Sequence, residues 1–514
     1  MTPFERLEAD WERLYLAFER RLVAWHRGLP GPDRDYAARR LAFDAALATV
    51  RTGELTDEER AGLGAIHAAL PFFDELEPVD GAEPGLPAAE PEAPDIVALR
   101  HATYEAYGEA AAAIRVGAET IDRLTALSRL ATEPDVAQRR VIFEAMAPVW
   151  RSVDGDGAAA GDSPYRRLLA SSAARWARSG SAIEANALAL GIAPGTFESM
   201  LHRMLEAGRT ALRDVAGHDG RIEPWDVRYL FGGAERALGG LVTQERLRAI
   251  NDAHLRSLGA DPDTLRIGYD LFERPGRPVI PVAFTTYGAD GPWIFATYRE
   301  GGLGNLGELI HESGHALHMA AIRTRPAFRY LAEDTSAFFE AVADVIGFDV
   351  SDPVFQAHHL GASVDPRTAS LDRYGGPLLE ACWALFEAEL HRSPDRRPND
   401  VWAEIVADGL GLEPHPEWSW WAVRGQLIDL PGYLANYALS AITAAALRAR
   451  IRDLRGDWSA GDPGWYAFVS ETLLRFGAEC APADLIAGLL DGPLTADPLL
   501  ADLAGADRQE TSST

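Results

Sequence analysis

His311, Glu312, Ser313, Gly314 and His315 read His-Glu-x-x-His, and a further carboxylate, Glu340, follows downstream. Residues four apart on a helix lie on one face, so His311 and His315 can offer two imidazoles to one metal ion. Glu312 stands beside them, where it reaches a water at the metal rather than the metal itself. Two imidazoles and one carboxylate leave a fourth coordination position open, which is the layout of a catalytic zinc site and not of a structural one. One Zn2+ per chain is the expected cofactor, with His311, His315 and Glu340 as ligands and Glu312 as general base.

The surroundings support this reading. A single histidine on a helix is ordinarily a surface or core residue. Here residues 303–310 read Leu-Gly-Asn-Leu-Gly-Glu-Leu-Ile, and Ala316, Leu317, Met319 and Ala320 follow. A helix apolar around much of its circumference is buried. Burying several histidines and a glutamate without partners is costly, and a metal ion offsets that cost.

The third ligand must come from a second helix. Residues 335–346 are apolar at helical spacing, with Thr335 or Ser336 available as a cap. Glu340 and Asp344 are four apart and share a face. Glu340 is assigned to the metal. Asp344 then accepts the free ring N–H of a ligand histidine and fixes its tautomer. Glu333 and Asp334 sit at the helix entrance, where acids suit the N-terminal dipole in any case.

On these residues the chain resembles the thimet oligopeptidase and oligopeptidase F metallopeptidases, with angiotensin-converting enzyme as a more distant relative. The run from His311 to His318 is similar to that family's zinc helix, and Phe339, Glu340 and Ala341 lie where it places its third ligand. Residues 270–277 resemble the segment leading into the substrate-side strand, and 224–229 a Trp-Asp-x-x-Tyr motif. Gly432, Tyr433, Leu434, Ala435, Asn436 and Tyr437 resemble a Gly-Tyr-x-Ala-x-Tyr segment whose tyrosines line the site. The matches run in family order from Pro224 to Tyr437.

The chain also departs from the family. No histidine lies in residues 424–431, where the family usually carries one before the Gly-Tyr segment; His415 is too far upstream, and a later family tyrosine falls on Ser440. The resemblance implies a mainly α, large helical metallopeptidase fold. The same resemblance implies a substrate channel between two helical halves and a small β-sheet near the zinc helix. It also implies that a phenol from Tyr437 or Tyr433 faces the oxyanion. Read from the residues alone, aromatic packing at a helix start serves those tyrosines equally well.

Length and composition bound the rest. The chain has 514 residues, 47% of them hydrophobic, and no apolar run approaches the ~18 residues of a membrane span. The start, Met-Thr-Pro-Phe-Glu-Arg-Leu-Glu, is acidic and amphipathic, unlike a signal peptide. Two cysteines, Cys382 and Cys480, are too few for a disulfide framework and fit a reducing, cytoplasmic setting. A formal net charge of -28 argues against nucleic acid and anionic membranes as partners. Short peptides are the expected partners; the sequence fixes no oligomeric state.

Along the chain, residues 1–190 read as an N-terminal helical region, 191–506 as the zinc-bearing catalytic region and 507–514 as a frayed tail. Residues 77–95 and 153–163 read as loops; the second has acids but lacks the glutamate that closes an EF-hand. Residues 96–150 read as helix. The strand candidates are 278–285 and 293–298, joined by a turn at 287–292. An exposed strand edge beside the metal can pair with an extended peptide backbone.

The function expected is zinc-dependent hydrolysis of peptide bonds in short peptides. Two other readings stay open: a zinc hydrolase of a non-peptide amide or specialised metabolite, and an inactive zinc-bound binding protein.

Overall fold

The computed structural model describes residues 1–30, 36–76, 93–154, 163–176, 183–215, 221–280, 282–330 and 336–505. Most of the expected loops at 77–95 and 153–163, the tail from 507, and Glu333, Asp334 and Thr335 lie outside the described residues. The architecture is mainly α, with five short strands among the described residues: β1 (Ile114–Val116), β2 (Glu119–Ile121), β3 (Gly268–Phe272), β4 (Phe284–Thr286) and β5 (Trp293–Tyr298). The helices and strands form two compact units, each assembled from separated stretches of chain. The first comprises Met1–Pro91, Val242–Val350 and Arg450–Gly492, and the second Glu92–Leu241, Ser351–Ala449 and Pro493–Thr514.

In the first unit, the helix Pro3–His26 opens with a capping box. Thr2 accepts from the Glu5 amide, and the Glu5 carboxylate accepts from the Thr2 amide. Its stripe of Phe4, Leu7, Trp11, Leu14, Tyr15 and Phe18 is buried with Tyr36, Phe43, Ile66 and Phe328. The sheet of this unit has the order β3-β5-β4, with β3 parallel and β4 antiparallel to β5. Central β5 buries Ile294, Phe295 and Ala296 in succession, as a strand covered on both faces does. Gly268 lies against the Trp293 ring, where a Cβ would fall 2.4 Å from a ring carbon. A register shift breaks the β3–β5 ladder between Asp270 and Phe272. The Arg277 guanidinium repairs it, donating to the carbonyls of Asp270 (2.8 Å), Ala296 (2.6 Å) and Phe272 (3.1 Å).

Two expectations need correction. Among the described residues, the strand expected at 278–285 is confined to Phe284–Thr286; Pro278 has no N–H to give a ladder. The helix expected over 96–150 is interrupted by the β1–β2 hairpin, which turns at Gly117 with φ 62°. The strand β3 carries no strong alternation and was not expected at all.

The second unit is organised by the long helix Pro366–Arg392, capped by Asp365, which accepts from the amides of Arg367 and Thr368 at 3.1 Å. Its core holds Trp383, Trp402 and Trp421. Trp383 donates through its indole N–H to the Trp421 carbonyl (2.9 Å), and Trp421 donates to Asn399 Oδ1 (2.7 Å). Both cysteines of the chain are free thiols.

Glu387 on this helix is buried and accepts the Gly432 amide at 2.8 Å, bracing the turn before the helix Leu434–Arg455. Burial pushes its carboxyl up to about 8, against the Gly432 hydrogen bond and with help from the charge of Glu380. The folded state therefore keeps a proton that the unfolded state releases near the ordinary value of 4.5. This contribution to stability is complete below that value and is lost as pH rises through about 8. Glu387→Gln removes the titration. Thermal melts of the two proteins across this window should show the variant's melting temperature falling less, by on the order of several degrees.

Candidate metal centre

The helix Leu303–Ala321 carries His311, Glu312 and His315, and the helix Ser336–Gly347 carries Glu340 and Asp344. Both belong to the first unit. The apolar residues Phe338, Ala341, Ala343, Val345 and Ile346 drive the second helix into the core. How closely it approaches is set by Gly314. A Cβ there would fall 2.6 Å from the Ala343 carbonyl oxygen and 2.7 Å from its Cα, so only glycine lets the backbones meet. Gly347 is similarly tight, with a would-be Cβ 3.3 Å from both the His311 Cβ and Asp344 Oδ1.

The approach brings the expected ligands together. His311 Nε2 lies 3.2 Å, and His315 Nε2 3.8 Å, from Glu340 Oε2. The two imidazoles stand perpendicular, at 89°, with centroids 4.7 Å apart. Among the described residues these three form the group whose donor atoms converge to hold a metal ion, all within 4.8 Å of one another. Asp344 Oδ1 lies 2.8 Å from His311 Nδ1 and accepts its N–H, which turns the Nε2 side of the ring toward Glu340.

The electrostatics ask for a cation at this point. Burial opposes protonation of His311, yet the Asp344 and Glu340 carboxylates outweigh it and raise its affinity for a proton well above the ordinary range. His315 goes the other way: burial first, then the charge of His311, lowers it to about 3, so it stays neutral with a lone pair to give. A neutral imidazole, a second imidazole holding a proton between two carboxylates, and a third, oxygen donor fit a divalent ion, which would displace that proton.

Glu312 is 6% exposed and stands outside the donor set. Burial pushes its carboxyl up to about 7, opposed by His311 and by a hydrogen bond from Thr285. Thr285 Oγ1, on β4, lies 2.6 Å from Glu312 Oε2 and 2.9 Å from its carbonyl oxygen. On another side of the same helix, the buried Ser313 hydroxyl sits 2.8 Å from Asn251 Oδ1. Asn251 in turn donates to Tyr269 Oη at 3.2 Å, and Tyr269 donates to Asp252 at 2.9 Å. His318 is buried against Phe338 and Phe339 and takes no place in the donor group.

Thr285 and Asn251 were missed in the sequence, since neither belongs to the motif. Thr285 falls inside the strand candidate at 278–285, but nothing local pairs it with a residue 27 positions on.

Tyr433 and Tyr437 belong to the second unit. They pack edge to face, 5.5 Å apart, and the Arg424 guanidinium lies 5.7 Å from the Tyr437 ring. His415 is held between Glu223 and Glu417, at 2.8 Å from each.

No protein-family model and no curated protein matches the sequence. Solved structures do match in fold, over nearly the whole of both chains. An M32 carboxypeptidase from Deinococcus radiodurans R1 superposes with a TM-score of 0.61 at 15% identity, covering 98% of this chain and 99% of that one. A structure described as a putative oligoendopeptidase F gives 0.58 at 18% identity, with 98% and 95% covered. PZ peptidase A in complex with an inhibitor gives 0.59 at 15% identity, with 98% and 96% covered. The chain thus has the mainly helical fold of these metallopeptidases.

Gly314→Ala should force the two helices apart, destabilising the protein by about 1–3 kcal/mol and weakening metal binding. Denaturant melts and zinc titration calorimetry check it. Asp344→Asn should leave the fold intact and lower zinc affinity by about 10- to 100-fold, read by the same titration.

Proposed function

We propose that this protein is a zinc metallopeptidase that hydrolyses peptide bonds in short peptides. The observation that carries the reading is the division among three acidic side chains. Glu340 converges with His311 and His315, Asp344 binds the back of His311, and Glu312 stays outside the donor set. A structural site would need a fourth protein ligand, which the donor group among the described residues does not contain.

Zinc held by His311, His315 and Glu340 would supply Lewis-acid chemistry, polarising a carbonyl and lowering the pKa of a water toward neutrality. Glu312 takes the proton of the attacking water and passes it to the leaving amine. Its raised proton affinity, near 7, suits a group that must both accept and release a proton. Asp344 keeps His311 in the tautomer that presents Nε2. The sheet edge at β4 offers its backbone to an extended peptide, which gives affinity with little demand on side chains.

The peptide as substrate is favoured by the fold. The structures it resembles are named as a carboxypeptidase, an oligoendopeptidase and a peptidase.

Incubating the zinc-loaded protein with a mixed peptide library and reading cleavage by mass spectrometry tests the activity and its length limits together. Glu312→Gln should retain zinc and lose about 10²–10⁴-fold in kcat. Undiminished cleavage by that variant would remove Glu312 from its role as base.

A further inference from the structure

We infer that Thr285 is the positioning residue of the general base. It holds the Glu312 carboxylate by one oxygen, so that the other takes the proton. The inference rests on the metallopeptidase reading above and adds to it a residue outside the metal-binding motif.

The argument begins with the glutamate itself. The torsion that turns a carboxylate about its last carbon–carbon bond has no sharp staggered wells, so the side chain does not set its own orientation. A base must meet its water at hydrogen-bond range, so something else must fix that torsion. Among the described residues, the Thr285 hydroxyl at 2.6 Å from Oε2 is the side-chain donor that does so. It binds one oxygen of the carboxylate and leaves Oε1 for the proton.

The donor is also rigid. Threonine is β-branched, which restricts its first torsion. Thr285 is paired with Ile294 in the β4–β5 ladder. Its hydroxyl lies close to the Glu312 carbonyl oxygen as well, which ties the strand to the helix at the base's own residue. The next residue, Thr286, turns to the opposite face. There it donates to the buried Glu19 carboxylate, which also accepts the Gly288 amide at 2.9 Å. The strand carrying Thr285 is therefore anchored on both faces, to the helix bearing the base and to the helix Pro3–His26.

Asp344 and Thr285 then divide the work around one helix. Asp344 orients a ligand imidazole, and Thr285 orients the group that moves the proton.

The test compares wild type, Thr285→Val and Thr285→Ser, each with its zinc content measured. Removing the hydroxyl while keeping the shape should lower kcat by about 10- to 100-fold, with KM and zinc content near the wild-type values. Serine, which restores the hydroxyl, should recover most of that loss. Crystal structures of the zinc-loaded proteins give a second readout. The Glu312 carboxylate should keep one orientation in wild type and T285S, and turn or split in T285V.

A T285V protein with wild-type kcat, or one whose Glu312 carboxylate is unmoved, would overturn the inference. So would a kcat loss that serine does not restore, because that is the signature of strand damage alone. If the wild-type protein cleaves no peptide, the proposed function fails, and the carboxylate orientation in T285V still decides the role of Thr285.

Discussion

The contact between Gly314 and Ala343 is the constraint on which the centre depends. Metal ligands from two helices can converge only if the helix axes come close. Side chains ordinarily keep packed helices about 8–10 Å apart. Here a glycine inside the metal-binding motif lets backbone meet backbone. Glu340 and Asp344 then reach His311 from one helix turn apart, one at each ring nitrogen. The glycine in His-Glu-x-x-His is a packing residue, and the ligand geometry follows from the packing.

The helix bearing the histidines is held on three sides by three different kinds of contact. The second helix and its acids hold one face. The Ser313–Asn251–Tyr269–Asp252 chain holds another through hydrogen bonds that start from a fully buried one at Ser313, where an unpaired partner would be costly. The β4 strand holds the third through Thr285. Together these contacts make a rigid frame for groups whose charges would otherwise repel or be lost to solvent. Pre-organisation of this sort is what a metal site and its proton-transfer group both require.

Much of this centre could be read from the sequence, and the reason is local. The spacing of His311 and His315 is a helical spacing, and so is that of Glu340 and Asp344. Amphipathic periodicity then says that both helices are buried. Four side chains follow from two short stretches and one packing event. Thr285 and Asn251 could not be read this way. Their partners, Glu312 and Ser313, are distant in sequence and are brought near only by the sheet and by a neighbouring helix. The fold shows the same divide. Long helices announced themselves through apolar stripes such as that of Trp11, Leu14 and Phe18. The strands were legible only where apolar residues ran together, as in β5. At β3 and β4 a register shift, a proline and a buried arginine bear on the structure, and none of these has a periodicity to read.

The placement of the acids also bears on the role proposed for Glu312, as a base and not as a fourth ligand. Glu312, Glu340 and Asp344 all lie near the two imidazoles, and carboxylates at such range repel one another. Two of them share the charge of His311: Glu340 faces its Nε2 and Asp344 its Nδ1. Glu312 makes no ion pair with either imidazole within the donor group, and the charge of His311 only partly offsets its burial. Its hydrogen-bond partner is the neutral Thr285 hydroxyl, and burial raises its affinity for a proton. Thr285 supplies enough hydrogen bonding to hold the carboxylate without supplying the charge that would keep it permanently ionised. A lysine or arginine at that position would keep Glu312 ionised and unfit for the proton transfer proposed for it. The choice of a neutral donor is therefore as much a part of the chemistry as the choice of the base.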